Sequence, residues 1–413
     1  MISKRLWQFI RLSRELWLRV TLIAFLAVLA AAMAGLLEPY IPHSLEARFG
    51  EEAVMPLLNI LATSMLAVTT FSLSVMVTAH MQAASQVTPR SHRLLLEDST
   101  TQTVLATFLG AFIFALVSII LFRAGVYGAR ASVVVFFFTV AVVTLVVLAI
   151  LRWIEHLSRL GSMDETIRLV EARARKTLDM RRAAPSLGAR PLTEGVHVPG
   201  DAAPISAHRG GYVQFIDMPG LTETAEAHEA EIFLVATPGS FVVQGEPLAR
   251  ATAADDALAD AMRAAFYISD LRTFDQDAGF ALLVLSEIAS RALSPGMNDP
   301  GTAIDVIGRL ERLLSLPVEK PEAAVRLAHK LIWAPPITEA DMILEAFDAI
   351  ARDGAGMVEV ALRLQSALNT LRGGHDEAMA RAAEDMARRA LAHAEGALAL
   401  EEDRARVRAL SGL

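Results

Sequence analysis

The 413-residue chain contains no cysteine, so disulfides, thiolate nucleophiles and cysteine-based metal sites are excluded. Its long apolar runs contain no carboxylates. This argues against an ion-coupled transporter, because proton-coupled pumps usually need acidic side chains within the membrane. The sequence also lacks a glycine-rich phosphate loop and a zinc-protease motif. No nucleophile–base or acid–base pair can be assembled, so we expect no enzyme, no catalytic residue, no metal and no cofactor.

Apolar residues are abundant instead, at 54% of the chain, and the mean hydropathy is +0.41. They are concentrated in four runs, each long enough for an α-helix to cross a hydrocarbon core about 30 Å thick. We predict a transmembrane domain over residues 1–160, with four spans at about 16–37, 55–80, 103–122 and 131–154. The first run follows a basic start and contains Ala32-Met33-Ala34, so a cleaved signal peptide is the alternative.

The distribution of basic residues predicts the orientation of the spans. Arginines and lysines cluster at the N-terminus, in the second loop at Arg90 and Arg93, and after the fourth run. The first loop offers only Arg48 against four glutamates, whereas the short third loop argues weakly the other way. We therefore expect both termini in the cytoplasm.

Charge also differs along the chain. Residues 1–154 hold 11 Lys and Arg against 7 Asp and Glu, a net charge of +4. The remainder carries −12, so the whole chain has a net charge of −8. An acidic distal region repels phosphate backbones, so we expect no nucleic-acid partner.

The distal part divides by composition. Residues 161–194 are predicted to form a juxtamembrane helix and a Pro/Gly-rich linker, 195–252 a small β-rich unit, and 253–413 a mainly helical cytoplasmic domain. The piece "PGSFVVQGEPLAR" resembles the turn–strand–turn signature of barrel-sandwich carrier domains. Because their modified lysine is missing here, a structural or interaction role is the better interpretation. The predicted fold class is thus an α+β membrane protein.

Two segments of the helical part invite further predictions. The stretch "VRLAHKLIWAPP" is compatible with a strand pair or a helix that ends at Pro335-Pro336, and Thr338 opens a capping box with Asp341. The last helix is predicted over 376–410, with a narrow seam of small residues suited to close packing within the chain or between subunits.

The second apolar run is unusually rich in hydroxyls. At about 100° per residue, a narrow stripe collects Thr63, Ala67, Thr70, Ser74, Thr78, Met81 and Ser85. Small hydroxyl residues favour close helix packing. Alternatively, Thr63, Thr70, Ser74, Thr78 and Ser85 line a water-filled path between several copies of the chain. In that case Gln86 and Arg90 form its cytoplasmic mouth, and the arginine favours anions.

The stretch "ALSPGMNDPG", residues 292–301, lies between two predicted helices. Pro295-Gly296 ends the first helix, and Asn298 or Asp299 can cap the second. The sequence predicts a tight corner. A functional interpretation of the same geometry is an anion or ligand cradle at a helix N-terminus. The residues of this candidate corner site are Arg291, Ser294, Asn298, Asp299 and Thr302.

Three motifs of the chain resemble motifs of a bacterial family of predicted membrane proteins, called domain of unknown function 2254. The first motif is met by Ser85, Gln86, Pro89, Arg90, Asp98 and Gln102, and the second, "GYVQFID", by Gly211–Asp217. The third is met by Arg272, Thr273, Gln276, Asp277, Glu287–Ala289, Arg291–Gly296, Asn298–Pro300, Thr302 and Ala303. The resemblance implies a multi-pass protein of the bacterial inner membrane with a cytoplasmic domain. The family name assigns no activity, so no catalytic residue can be transferred.

Together these features predict an oligomeric channel or pore-like protein with a cytoplasmic regulatory domain. The expected partners are the lipid bilayer, further copies of the chain, and an ion or small anionic ligand. The alternative is a non-conducting membrane-anchored sensor or scaffold that binds an anionic ligand or a protein partner through its cytoplasmic domain.

Overall fold

A computed structural model describes residues 16–42, 49–86, 88–96, 99–128, 130–157, 162–252, 255–316 and 328–413. The chain divides into two compact units between Glu165 and Thr166.

The first unit contains helices and no strand within its described residues. Its helices are α1 (Leu16–Leu37), α2 (Glu51–Gln86), α3 (Pro89–Leu96), α4 (Ser99–Arg123) and α5 (Ala131–Leu157). Among the described residues, four helices are long and apolar enough to cross a membrane, namely α1, α2, α4 and α5. The four predicted apolar helices are therefore confirmed, and α2 extends beyond both ends of its predicted range.

Helix α4 is the centre of this unit, because it packs against α1, α2 and α5. Gly110 permits the close approach of α1, since a Cβ atom at this position would lie 2.5 Å from Cγ2 of Ile23. The short helix α3 was not predicted. It buries Ser91 and Leu94 and exposes Arg90 and Arg93, which is the amphipathic pattern of a surface helix.

The second unit combines helices with short strands. The helices are α6 (Met163–Ala183), which begins three residues before the division, α7 (Met218–Ala227), α8 (Asp256–Ala265), α9 (Ala278–Ala292), α10 (Pro300–Leu314), α11 (Glu339–Asp353), α12 (Val358–Arg372), α13 (Glu377–Ala397) and α14 (Glu401–Ser411). The strands are β1 (Ala189–Pro191), β2 (Ala203–Ser206), β3 (Gly211–Ile216), β4 (Ile232–Leu234), β5 (Phe241–Val242), β6 (Pro247–Ala251), β7 (Phe266–Ser269) and β8 (His329–Ala334). The chain is thus a mixed α+β protein.

The strands form two sheets. One has the order β1-β8-β4-β6-β2, with β8 parallel to both of its neighbours, and the other is antiparallel with the order β5-β3-β7. A shared apolar core includes Ile216, Leu221, Ile232 and Met262. Both sheets draw strands from each side of the boundary predicted at residue 252. The barrel-sandwich character of residues 195–252 stays a prediction.

Two local expectations differ from the structure. The segment predicted as a linker contains β1, which pairs with β8, and Ala189 in that strand is buried. Buried main-chain groups need hydrogen-bond partners, and pairing with β8 supplies them. The stretch around Trp333 is a single parallel strand rather than a strand pair or a helix.

The predicted last helix is broken into α13 and α14. Leu398 and Leu400 adopt extended backbone angles, and Leu398 is buried with Val407 against α12. The break lets the chain turn back and bury this second apolar contact. In the predicted seam, Ala383, Met386 and Ala390 are buried within the chain, where α13 packs against α11 and α12.

Candidate functional site

The hydroxyl stripe of α2 lies on the exposed side of the helix. Thr63, Thr70, Ser74 and Thr78 are all exposed in the single chain. Each hydroxyl donates a hydrogen bond to a carbonyl three or four residues earlier, at oxygen–oxygen distances of 2.8, 2.9, 3.0 and 3.0 Å. The main-chain carbonyls of α2 therefore satisfy these hydroxyl protons locally.

The opposite side of α2 is the one that packs within the unit. Val54, Leu58, Leu61 and Met65 are buried there, and α4 and α5 are the neighbouring helices. Packing within the single chain therefore does not account for the stripe.

The remaining residues of the predicted path are placed differently. The side chains of Ser85 and Gln86, although on α2, lie outside the described part of the structure. Arg90 is exposed on α3, which begins after α2 has ended, so it does not continue the stripe along the same helix.

The corner at 292–301 connects α9 to α10. The Asn298 and Asp299 amides donate to the carbonyls of Ser294 and Ala292 at 2.9 and 2.8 Å, and Asn298 is left-handed with φ +48°. Asp299 caps α10, because its Oδ1 accepts from the Thr302 amide at 3.0 Å and its Oδ2 from the Thr302 hydroxyl at 2.6 Å. The hydroxyl of Ser294 donates to the carbonyl of Arg291 at 2.6 Å.

These contacts affect the proposed anion cradle. Hydrogen bonds from the Thr302 side chain and amide lower the pKa of the Asp299 carboxyl. The carboxylate therefore occupies a first-turn donor of α10 that an external anion would use. The ligand role of this corner stays a prediction.

The second and third resemblance motifs meet in one buried network. Oε1 of Gln276 accepts from the Ile216 amide at 2.8 Å, and its Nε2 donates to the carbonyl of the same residue at 3.2 Å. In addition, the Gln214 side chain donates to the carbonyl of Leu271. The motif residues thus hold β3 to the loop before α9.

A charged group completes this network. Arg272 forms a two-point ion pair with Asp277, and its Nη2 lies 3.7 Å from Oε1 of Glu345. Burial raises the pKa of the Glu345 carboxyl, while the Arg272 charge opposes the rise. Burial also lowers the pKa of Arg181 to about 10, although the charge of Asp277 opposes the change. Both oxygens of Asp277 are engaged, which makes this group a structural clamp.

A cluster of cations between α6 and α10 has no counterpart among the sites predicted from the sequence. Glu171 is buried and forms ion pairs with Arg309 at 3.0 Å, with Arg312 and, at 3.9 Å, with Arg175. Two open cavities of about 540 and 520 Å³ adjoin it. The available signal in the sequence is the basic composition of α6, which by itself indicates only the orientation of the spans.

The residues that the structure describes contain no group of three or more His, Asp or Glu side chains able to hold a metal ion.

Comparisons with known proteins agree with the motif resemblance. The chain is 29% identical over 267 residues to uncharacterized proteins of Mycobacterium bovis and Mycobacterium tuberculosis. The aligned region covers 61% of this chain and 51% of each relative, so the chain spans about half the length of the curated relatives it matches. No solved structure matches the chain. The family model described as "Predicted membrane protein (DUF2254)" matches residues 13–370, and the chain therefore belongs to the DUF2254 family of predicted membrane proteins.

Proposed function

We propose that this membrane protein is an oligomeric channel-like protein of the bacterial inner membrane, with four spans, both termini in the cytoplasm and no catalytic activity. The second spans of several copies line the path, and the distal unit assembles or gates it. The small β-rich unit serves structure or interaction within that distal unit. One observation supports this proposal: the hydroxyl stripe of α2 lies on the side that the chain leaves uncovered.

An exposed stripe on a span faces lipid, another protein surface or water. The back-bonded hydroxyls keep oxygen lone pairs directed outward, and lipid tails offer no donor to these acceptors. A second copy or a water column does offer donors. Small side chains at Ala67 and Ser74 also permit close approach of a neighbouring helix.

Cross-linking tests whether the stripe faces another copy. Because the native chain has no cysteine, a disulfide between two copies can form only through the introduced residue. We expect Thr70→Cys in the full chain to give disulfide-linked dimers in native membranes under mild oxidation. Thr144→Cys is the matched control, because Thr144 is also exposed and donates to the carbonyl four residues earlier. Equal cross-linking at both positions, or none at Thr70, would remove the oligomer from the proposal.

Conduction is tested in planar bilayers that contain the purified full chain. We expect Thr70→Leu to reduce the conductance and Thr144→Leu to leave it unchanged, because only the first substitution makes the proposed path apolar. Absence of wild-type conductance under all salt, pH and tension conditions would exclude the channel.

A membrane-anchored sensor or scaffold is the second candidate. The observation in its favour is the exposed Asn298, held in a left-handed conformation at the α9–α10 corner. Asn298→Gly still allows the left-handed backbone conformation and removes the side-chain amide. If the corner binds anions, inorganic phosphate or citrate stabilises the wild-type full chain against heat and does not stabilise this variant. Equal stabilisation of both proteins argues against a site at the corner.

A further inference from the structure

A cleft between α6 and α10 gathers cations around one buried carboxylate. Its two cavities, of about 540 and 520 Å³, share Arg168 and Glu171 in their walls. The charged residues that line them are Arg168, Glu171, Arg175, Lys176, Asp179, Asp305, Arg309 and Arg312. All of them belong to the second unit.

Glu171 organises the guanidinium groups. Its Oε2 accepts from Nη1 of Arg309 and its Oε1 from Nε of Arg312, both at 3.0 Å. Arg309 is oriented further by Asp305, whose Oδ2 lies 2.7 Å from its Nε. The carboxylate therefore fixes two α10 side chains in place.

The charge balance of the cleft differs from that of its surroundings. Five cations and three carboxylates line the two cavities, a net charge of +2, whereas residues 155–413 carry −12. Arranging like charges together has an electrostatic cost that a bound anion would relieve. Arg312 and Arg175 also keep 56% and 42% of their side chains exposed, so an external anion can reach both.

We infer that this cleft binds a phosphate group. Arg312 gives its Nε and Nη2 to Glu171, so a phosphate oxygen would meet its Nη1 and the exposed guanidinium of Arg175. These are charge-assisted hydrogen bonds, and Lys176 adds a mobile point charge. The phosphate belongs either to an anionic lipid headgroup or to a soluble phosphate compound. The inference is independent of conduction and of the α9–α10 corner.

The experiment uses the full chain in nanodiscs. In the first arm the lipid is phosphatidylcholine alone, and the binding of radiolabelled pyrophosphate is measured. In the second arm pyrophosphate is omitted, and the rise in Tm on adding phosphatidylglycerol to the lipid is measured. Binding in the first arm identifies a soluble phosphate compound as sufficient, and an effect confined to the second arm identifies the headgroup.

Substitutions locate the binding. We expect Arg312→Gln and Lys176→Gln each to weaken pyrophosphate binding by about tenfold, the effect of one charge-assisted hydrogen bond, or to abolish the phosphatidylglycerol effect. Arg312→Lys keeps the charge but has a single nitrogen for both Glu171 and the phosphate, so its affinity should lie between those of wild type and Arg312→Gln. Arg388→Gln is the matched control, because Arg388 on α13 is similarly exposed at 59% and pairs with carboxylates of its own helix.

Two results would overturn the inference. One is that neither pyrophosphate nor phosphatidylglycerol affects the wild-type chain. The other is that Arg312→Gln, Lys176→Gln and Arg388→Gln all behave as wild type in both arms, or all lose binding equally. Two separate, exposed positions guard against loss of folding in a single variant.

Discussion

Arg272 and Asp277 form a two-point ion pair at the start of α9. Nε of Arg272 lies 2.6 Å from Oδ2 of Asp277, and Nη2 lies 3.1 Å from Oδ1. Oδ1 also accepts from the Phe280 amide at 2.9 Å and thereby caps the helix. One buried carboxylate thus joins the preceding loop to the first turn of α9.

Removing this carboxylate should therefore be costly. We expect Asp277→Ala to lower the free energy of unfolding by about 3–5 kcal/mol, because it removes the two-point ion pair, leaves Arg272 with only the more distant Glu345 carboxylate at 3.7 Å, and uncaps the helix. Denaturant unfolding of the full chain in mild detergent measures the change. Asp385→Ala, which removes a partner from an exposed pair with Arg388, should change it by less than about 0.5 kcal/mol. Similar losses in the two variants would contradict the clamp.

The Pro238-Gly239 turn lies against the same carboxylate. Gly239 has φ +95°, and a Cβ atom there would be 2.1 Å from Oδ2 of Asp277. Gly245 has a similar φ of +93° with no atom within 4 Å. We expect Gly245→Ala to show only backbone strain, on the order of 1–3 kcal/mol, and Gly239→Ala to destabilise the chain by clearly more. Equal losses of unfolding free energy would show that the contact with Asp277 adds nothing.

The cap of α10 should contribute an ordinary helix-capping energy. We expect Asp299→Ala to lower the free energy of unfolding by about 1 kcal/mol, since the Thr302 amide loses its acceptor. Asp299→Asn keeps an acceptor oxygen and should cost less. The same denaturant experiment measures both variants, and a larger loss for asparagine than for alanine would count against this account.

His329 should make the folding stability of the chain depend on pH. Its Nδ1 lies 2.6 Å from the Thr222 hydroxyl oxygen, and burial lowers the pKa of its ring. The unfolded chain therefore takes up this proton more readily. The stability that the neutral ring contributes is complete above pH of about 6.5 and is lost as the pH falls through the lower folded pKa.

Thermal unfolding of the full chain between neutral and mildly acidic pH measures this effect. We expect the Tm of His329→Gln to fall less on acidification than that of wild type. His375 is exposed, so His375→Gln should retain the wild-type dependence. If Tm decreases by the same amount in all three proteins on acidification, His329 is not the titrating group.

Local patterns were sufficient for several elements. Length and hydropathy predicted the four apolar helices, because a helix that spans a membrane needs apolar side chains in every turn and so forms one long apolar run in the sequence. The Thr338–Asp341 capping box is present, and Asp299 caps α10, because capping depends on residues three positions apart.

Contacts between distant segments were not predictable in this way. Nothing around Ala189 indicates a parallel partner 140 residues later, yet β1 pairs with His329 and Trp333 of β8. The break at Leu398 is signalled only by Gly396, and an isolated glycine is tolerated inside a helical pattern. The break exists because the chain buries Leu398 and Val407 together against α12.

The candidate sites divide along the same line. The periodicity of α2 placed Thr63, Thr70, Ser74 and Thr78 on one side of a helix, but only packing decided that this side is exposed. The amino-acid sequence by itself determined the number of apolar helices, the mixed α+β class and the α9–α10 corner, since these depend on neighbours within a few residues. The tertiary structure decided that Glu171 lies among Arg309 and Arg312 and that Asp277 meets Gly239. Burial brings such groups together across the chain, and local spacing carries no record of it.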